Sequence, residues 1–390
     1  MLCLWIVNLG TLDILFLLSL SYHLLELWDV KKMKVIVAAG GTGGHIYPAL
    51  AIINKIKEYE KDSEILYIGT TDRMEKDVVP KTGIPYVGIE MAGFNRKQLL
   101  ANVGVMKKVF KAVKKAKKTI AEFQPDIVIG VGGYITAPVL YAAHKLHYKT
   151  MIHEQNSIPG VSNKFLAHFV DKICLSFPGS LTYFPKNKSI YTGNPRSEEI
   201  ITIDKISKVT FGFSSRKKLV IIVMGSLGST TMTKKLKEAI VAFQDKSYQV
   251  LVITGKAYYD EYKDIDVPKN VKVIPYTEQL IQLMKDADLM VSRAGASTIS
   301  EITGIGLPAI LVPSPYVTHN HQVMNATELK EAGACEILEE AEFCQEKLVA
   351  LIDSIMENEP LYQTMMEASK KFGVKDSATR IYQEIKELVR

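Results

Sequence analysis

From Met33 onward, short runs of apolar, often β-branched residues alternate with segments of helical period, and the alternation occurs in two series. Lys34 to Ala39 reads as a strand, Pro48 to Tyr59 as a helix and Glu64 to Gly69 as a second strand. The rhythm continues through Asp126 to Val131, the helical Thr136 to Leu146, Thr150 to His153 and Asp171 to Ser176. A second series runs through Lys218 to Met224, a helix around Thr231 to Gln244, Gln249 to Thr254, Asp288 to Ser292 and Pro308 to Val312. Strands that are apolar almost throughout suit a parallel sheet covered on both faces, where the alternation of inward and outward residues disappears. The pattern therefore predicts two doubly wound α/β units.

A chain of 390 residues agrees with that count, since one core rarely serves more than about 250 to 300. Polar residues interrupt the apolar rhythm between Arg196 and Lys217, which places the join there. The expected division is an N-terminal extension over 1–32, a first domain over 33–196, a second over 197–360, and a C-terminal helix over 361–390 that packs back on the first domain. Residues 1 to 28 are apolar, yet Asp13, His23 and Glu26 break the run, and the basic residues Lys31 and Lys32 follow it. That order does not fit a cleaved signal, so the segment reads as an extension upstream of a functional start at Met33, or as a monotopic anchor.

The charge is uneven. Residues 33–196 carry 23 Lys and Arg against 12 Asp and Glu, whereas 197–390 carry 23 against 27. A basic half suggests an anionic partner, either a phosphate-bearing substrate or a lipid surface. Cys3, Cys174, Cys335 and Cys344 lie far apart with no paired spacing, which argues against a disulfide framework or a structural zinc and for a reducing compartment.

Glycine loops follow the strands. Gly40-Gly41-Thr42-Gly43-Gly44-His45 ends the first strand and opens a helix, where bare backbone N–H groups and the positive dipole end suit a diphosphate or a closely approaching sugar. It is not a Walker loop, because no Gly-Lys-Ser/Thr follows, and Ile46 takes the third glycine position of the dinucleotide pattern. Similar loops occur at Gly130-Val131-Gly132-Gly133-Tyr134 and Gly225-Ser226-Leu227-Gly228-Ser229. Three such loops at strand ends point to a ligand held between the two domains. Ser292 to Glu301 also runs from a strand into a helix, so that its first-turn N–H groups could take a phosphate and Glu301 two ribose hydroxyls; alternatively Ser297 is a simple N-cap and Glu301 a surface charge. His319-Asn320-His321-Gln322 and Asn325 could read sugar hydroxyls, and no carboxylate or cysteine stands beside the histidines at metal-ligand spacing. His153-Glu154-Gln155-Asn156, at another strand end, should face a cleft.

Taken in order, these motifs resemble the peptidoglycan glycosyltransferases that add N-acetylglucosamine to undecaprenyl-pyrophosphoryl-muramoyl-pentapeptide to form lipid II, and the resemblance covers essentially all of 33–390. It implies the glycosyltransferase B fold, with two Rossmann-like domains facing a cleft, and an inverting, metal-independent hexosyl transfer from UDP-N-acetylglucosamine without a cofactor. It further implies that Thr42, Gly43 and Gly44 line the donor–acceptor cleft, that Asn156 contacts the donor, and that Ser226 with Ala296, Ser297, Thr298, Ile299, Ser300 and Glu301 holds the uridine diphosphate. Gln322 would meet the transferred sugar, and Gly132, Gly133 and Tyr134 the acceptor pyrophosphate. Arg196 corresponds to the family's donor-binding arginine only with a one-residue offset, and Met224, Ser229 and Asn320 replace a glycine, an alanine and an aspartate common in the family. Roles in cell wall synthesis, shape and division follow from the same resemblance.

Transfer needs a base for the acceptor hydroxyl and a positive environment for the departing diphosphate. His45, at a helix N-terminus that disfavours the imidazolium, is the first choice for base, and Glu154 competes with it. His45 could instead only position the loop or acceptor. A lipid acceptor requires contact with the cytoplasmic face of the membrane. Leu99 to Phe123 carries seven lysines among Val105, Val109, Val113, Ala116 and Ile120 at helical spacing, as a peripheral basic helix on anionic lipid would or as an ordinary domain helix would with its stripe in the core. A diacylglycerol glycosyltransferase, a UDP-N-acetylglucosamine 2-epimerase and a non-enzymatic nucleotide-sugar module are the alternatives. Nucleic acid is disfavoured, because the lysines lack interleaved stacking aromatics.

Overall fold

The computed structural model describes residues 32–93, 102–225, 230–317 and 320–390. The expectations for the segment 1–31, Leu99, Ser226 to Ser229 and His319 lie outside the described residues.

Two all-parallel sheets carry the fold. In the first domain β1 (Lys34–Ala38), α1 (Gly43–Tyr59), β2 (Glu64–Thr70), α2 (Glu75–Val78), β3 (Tyr86–Ile89), α3 (Asn102–Phe123), β4 (Ile127–Gly130), α4 (Thr136–Lys145), β5 (Lys149–Glu154), α5 (Val161–Leu166), β6 (Lys172–Leu175) and β7 (Ser189–Tyr191) follow one another. Their strands pair in the order 3-2-1-4-5-6-7. After the connecting α6 (Arg196–Thr202), the second domain runs through β8 (Leu219–Val223), α7 (Thr230–Ile240), β9 (Gln249–Ile253), β10 (Val271–Ile274), α8 (Leu280–Met284), β11 (Leu289–Ser292), α9 (Ala296–Ile305), β12 (Ala309–Leu311), α10 (His321–Glu331), β13 (Cys335–Ile337), α11 (Gln345–Met356) and α12 (Glu359–Phe372). Its strand order is 10-9-8-11-12-13, and α13 (Ser377–Val389) closes the chain.

The apolar runs are buried as their composition requires. Val35, Val37, Ile52 and Ile56 join β1 to α1 on one face of the first sheet, while Ile36, Val128, Ala116 and Ile120 fill the other. The second sheet is likewise covered twice, by Val250, Leu236 and Ile352 on one side and by Ile221, Ile299 and Ile302 on the other. Each such side chain stabilises the fold by about 1.5 to 3 kcal/mol when fully removed from water. β3 and β10 are edge strands and only half buried, so they lack the apolar run by which sequence identifies a strand. The C-terminal stretch divides. Tyr362 and Met365 of α12 complete the second core, whereas Ile381 and Ile385 of α13 lie in the first. Between them Gly373 sits so close to α9 that a Cβ there would lie 2.3 Å from the Thr303 carbonyl oxygen.

For the lysine-rich α3, the apolar stripe follows the second of its two readings. Ala112, Ala116 and Ile120 are buried and Val109 and Val113 pack against the same core, so the apolar stripe faces the protein and not a bilayer. Its exposed apolar residues are Met106 and Phe110, the latter 70% exposed.

Candidate active site

In each sheet the strand order reverses beside the first strand, between β1 and β4 and between β8 and β11. Connections leave such a point toward opposite faces and open a crevice at the carboxyl ends of the strands. The Gly40 and Gly132 loops occupy the first switch point, and Gly225 and the Gly295 loop stand at the second. The two loops of the first domain meet backbone to backbone, with Gly40 N–H donating to the Gly132 carbonyl at 3.2 Å. Gly133 has φ +91° and a Cβ there would lie 2.2 Å from the Gly40 oxygen. Gly132 has φ +108° and a Cβ would meet the His45 ring at 2.4 Å. Only glycine fits either place.

His45 enters this space from the first turn of α1. Its Nδ1 lies 3.0 Å from the Gly40 carbonyl oxygen, which can only accept, so the proton resides on Nδ1 and Nε2 keeps its lone pair. Burial lowers its pKa from the ordinary 6.5; the Gly40 carbonyl, Glu154 and Glu75 act to raise it, and His321 acts to lower it.

At the end of β5, Glu154 is 2% exposed and both its oxygens are occupied. Oε1 accepts from Asn156 N–H at 3.0 Å, while Oε2 accepts from Gly160 N–H at 3.0 Å and from the Asn163 amide at 2.8 Å. The carboxylate thereby ties down the turn that presents Asn156. Gln155 donates to the Val131 carbonyl at 2.7 Å and holds the β4 loop against β5. His153 is buried between Gln155 and the Gly193 carbonyl, and burial lowers its pKa to about 4.

The second domain supplies the opposite wall. α9 starts after Gly295 in extended conformation, which leaves its first-turn N–H groups without intrahelical acceptors. Ala296 to Ser300 lie in its first turns, and the buried Ser297 hydroxyl has no hydrogen-bond partner among the described residues. Glu301, one turn on, accepts from Arg196 at 3.0 Å, and Arg196 also pairs with Glu199. Arg196 stands 5.5 Å over the Tyr47 ring, and a Cβ on Gly43 would touch the same ring at 3.1 Å. A continuous path of contacts thus leads from Gly43 through Tyr47 and Arg196 to Glu301, joining the domains across the cleft. Burial pushes the Glu301 carboxyl upward and Arg196 opposes it. A second link runs through the fully buried Asn325, whose Oδ1 accepts from Ser157 N–H at 2.9 Å and whose amide donates to Asn156 and to the Ala294 carbonyl, both at 3.2 Å. Gln322 accepts from Ser314 N–H through its side-chain oxygen at 2.8 Å.

Comparisons with known proteins place the chain in a family. The model of the glycosyltransferase family 28 N-terminal domain matches residues 35–175, and that of the C-terminal domain matches residues 219–381. The chain belongs to glycosyltransferase family 28. It is 43% identical over 363 residues to a Bacillus cereus protein named UDP-N-acetylglucosamine–N-acetylmuramyl-(pentapeptide) pyrophosphoryl-undecaprenol N-acetylglucosamine transferase 1, which covers 92% of this chain and 100% of the relative. A Bacillus licheniformis transferase of the same name, without the final number, is 44% identical over 366 residues, 91% of this chain and 99% of the relative. Among solved structures, MurG of Acinetobacter baumannii is 26% identical with a TM-score of 0.75, covering 91% of this chain and 99% of that one. A 2-epimerase described as putative from Listeria monocytogenes shares the fold at 15% identity and a TM-score of 0.69 over 91% and 96% of the two chains.

Of the residues singled out in the sequence, Gly43 and His45 share the first turn of α1, Gly132 and Gly133 pack on the Gly40 loop and the His45 ring, Asn156 bonds Asn325 across the domains, Arg196 joins Glu301 of α9, and Gln322 bonds Ser314. Tyr134 is 57% exposed, with its ring packed on Gly93. Two residues of the cleft framework were not legible as such. Glu75 is fully buried beneath the Gly40 loop, and Glu340 pairs at 2.6 Å with Arg293 while accepting from Thr231, joining the first turn of α7 to the loop before α9.

Proposed function

We propose that the chain transfers N-acetylglucosamine from UDP-N-acetylglucosamine to undecaprenyl-pyrophosphoryl-muramoyl-pentapeptide, with inversion at the anomeric carbon. The observation that carries this reading is the line of contacts from Gly43 through Tyr47 and Arg196 to Glu301, which joins the loop bearing His45 to α9 in a family 28 chain aligned along its length with transferases of that name. The diphosphate lies on the first turn of α9, where unpaired N–H groups and the helix dipole meet its charge. Glu301 accepts from the ribose hydroxyls, and Arg196 orients it. Asn156 and the amide NH2 of Gln322 face the transferred sugar, while Gly132, Gly133 and Tyr134 receive the acceptor pyrophosphate. The acceptor oxygen attacks the anomeric carbon from the side opposite the leaving group. Its proton passes to His45 Nε2 as the bond to the β-phosphate oxygen breaks and its electron pair leaves with UDP. Glu154, whose oxygens are both occupied within its own turn, is a positioning residue in this scheme and His45 the base.

The lipid acceptor is met at the surface of the first domain, on the cytoplasmic side of the membrane. No described helix is long and apolar enough to cross a membrane. Instead, Met106 and Phe110 stand exposed on α3 among Lys107, Lys111, Lys114 and Lys118. On the same domain Phe165 packs tilted and Phe169 edge-on against Tyr141, with Lys145 over the Tyr141 ring and Lys164 over Tyr183. Apolar tips ringed by cations suit an anionic interface.

The direct test supplies radiolabelled UDP-N-acetylglucosamine with a synthetic muramoyl-pyrophosphoryl lipid, with diacylglycerol, or with no acceptor, each in EDTA. Label is expected in the muramoyl lipid alone. Label in diacylglycerol, epimerised donor without acceptor, or activity lost in EDTA and restored by magnesium would each contradict the scheme.

A further inference from the structure

The Gly40–Gly41 peptide is hydrogen-bonded on both sides. Its carbonyl accepts from His45 Nδ1 at 3.0 Å, and its N–H donates to Glu75 Oε2, also at 3.0 Å. Imidazole, peptide and carboxylate therefore form one chain. Glu75 opens α2 just after β2 and is fully buried. Its other oxygen, Oε1, accepts from the Thr70 N–H at 3.0 Å and the Thr70 hydroxyl at 2.6 Å. The Thr70 carbonyl is held in turn by the Tyr86 hydroxyl at 2.5 Å. Space for the carboxylate exists only because two neighbours are glycines. A Cβ on Gly40 would lie 2.4 Å from Oε1, and one on Gly69 2.8 Å from the Glu75 Cγ.

Burying a carboxylate costs several kcal/mol. All three hydrogen bonds to Glu75 come from peptide N–H groups and a hydroxyl, and among the described residues no cation pairs with it. The carboxylate must therefore act on what it touches, and what it touches leads to the catalytic ring. A carboxylate accepting from a peptide N–H polarises that peptide and strengthens the hydrogen bond its carbonyl accepts. A carboxylate bonded directly to a catalytic imidazole fixes its tautomer and stabilises the imidazolium. Here one peptide group stands between the two.

The geometry points to Glu75 as a positioning residue of the transfer reaction, holding His45 as the Nδ1–H tautomer through the Gly40–Gly41 peptide and stabilising the imidazolium that forms when Nε2 takes the acceptor proton. No proton passes to Glu75; it acts through the polarised peptide. The inference rests on the reading of His45 as base. The charged groups facing His45 are Glu154 and Glu75, which favour the protonated ring, and His321, which with burial opposes it.

The test is the full chain carrying Glu75→Gln, which keeps the side-chain size and removes the charge. Expected are a kcat lower on the order of 10- to 100-fold, a KM for UDP-N-acetylglucosamine within about threefold, and an acid limb of kcat/KM displaced to lower pH. In a His45→Ala background the same substitution should lower kcat no further, because the pair acts as a unit. Glu75→Asp should return the acid limb toward its original position. A loss of kcat with the acid limb unmoved, or losses that multiply in the double variant, would overturn the role. If Glu75→Gln does not fold, nitrogen-15 NMR of the histidines in the unaltered protein decides: a neutral His45 protonated on Nδ1 supports the role, and one protonated on Nε2 rejects it. The two levels fail separately. Unimpaired transfer by His45→Ala removes the base and this inference together, whereas an inactive His45→Ala beside a fully active Glu75→Gln removes this inference alone.

Discussion

His45 and His153 lie within one domain and differ in what their second nitrogen meets. His153 is enclosed on both, by Gln155 and by the Gly193 carbonyl, and serves the framework. His45 has one nitrogen fixed by Gly40, and no hydrogen bond holds the other among the described residues. His45→Ala should lower kcat on the order of 10²- to 10⁴-fold with donor affinity retained, as measured by single-turnover transfer and by UDP titration. The pH dependence follows from the neutral form being the base. As pH falls through the His45 pKa the ring is protonated and kcat/KM drops, and since burial holds that pKa below 6.5, the acid limb should lie below the value of an exposed histidine. His45 was legible because it closes a glycine loop between strand and helix. Glu75 was not, because Thr71-Asp72-Arg73-Met74-Glu75 has the composition of a solvated turn. Only the return of that turn under the Gly40 loop buries the carboxylate, and no local pattern encodes such a return. Glu154 shows a related limit of local pattern. A carboxylate at a strand end looks available until the N–H groups of the following turn converge on it.

Among the elements, α9 and α3 show opposite limits of sequence reading. The small residues before α9 announce a helix that begins at a bare N-terminus, and the helix does start after an extended Gly295 without a side-chain cap. For α3 the period of the lysines fixes the solvent face, but whether the opposite stripe meets core or lipid depends on what packs there. Ala112, Ala116 and Ile120 meet the core. The lipid-facing reading therefore moves to Met106, Phe110 and the surrounding lysines. Each lysine near an anionic surface contributes about 1 kcal/mol, so reversing Lys107, Lys111, Lys114 and Lys118 to Glu should weaken binding to anionic vesicles on the order of 10²- to 10³-fold at low salt. Sedimentation with vesicles measures this. Unchanged binding would remove α3 from the membrane surface.

At the scale of the molecule, two sheets turn their switch points toward one another, and the chain crosses between them twice, at Gly193 to Arg196 and at Gly373 to Asp376. The alternation of strand and helix predicts both sheets because each central strand is buried on both faces. It leaves the edge strands unannounced. The second crossing makes the first domain depend on the last helix. Ile381 and Ile385 are fully buried there, and Glu60 receives the Tyr382 hydroxyl at 2.7 Å and the Lys386 ammonium at 2.6 Å. Ile385→Ala should cost about 2 to 5 kcal/mol in urea unfolding of the first domain. A loss below about 1 kcal/mol would mean that α13 contributes little to that core. The convergence of the two domains on one ligand is tested most directly by a crystal structure of the chain with UDP-N-acetylglucosamine. The diphosphate is expected on the N–H groups of Ala296 to Thr298, the ribose at Glu301, and the anomeric carbon turned toward His45 Nε2. Donor bound away from the first turn of α9, or with its anomeric carbon facing away from His45, would contradict the shared cleft.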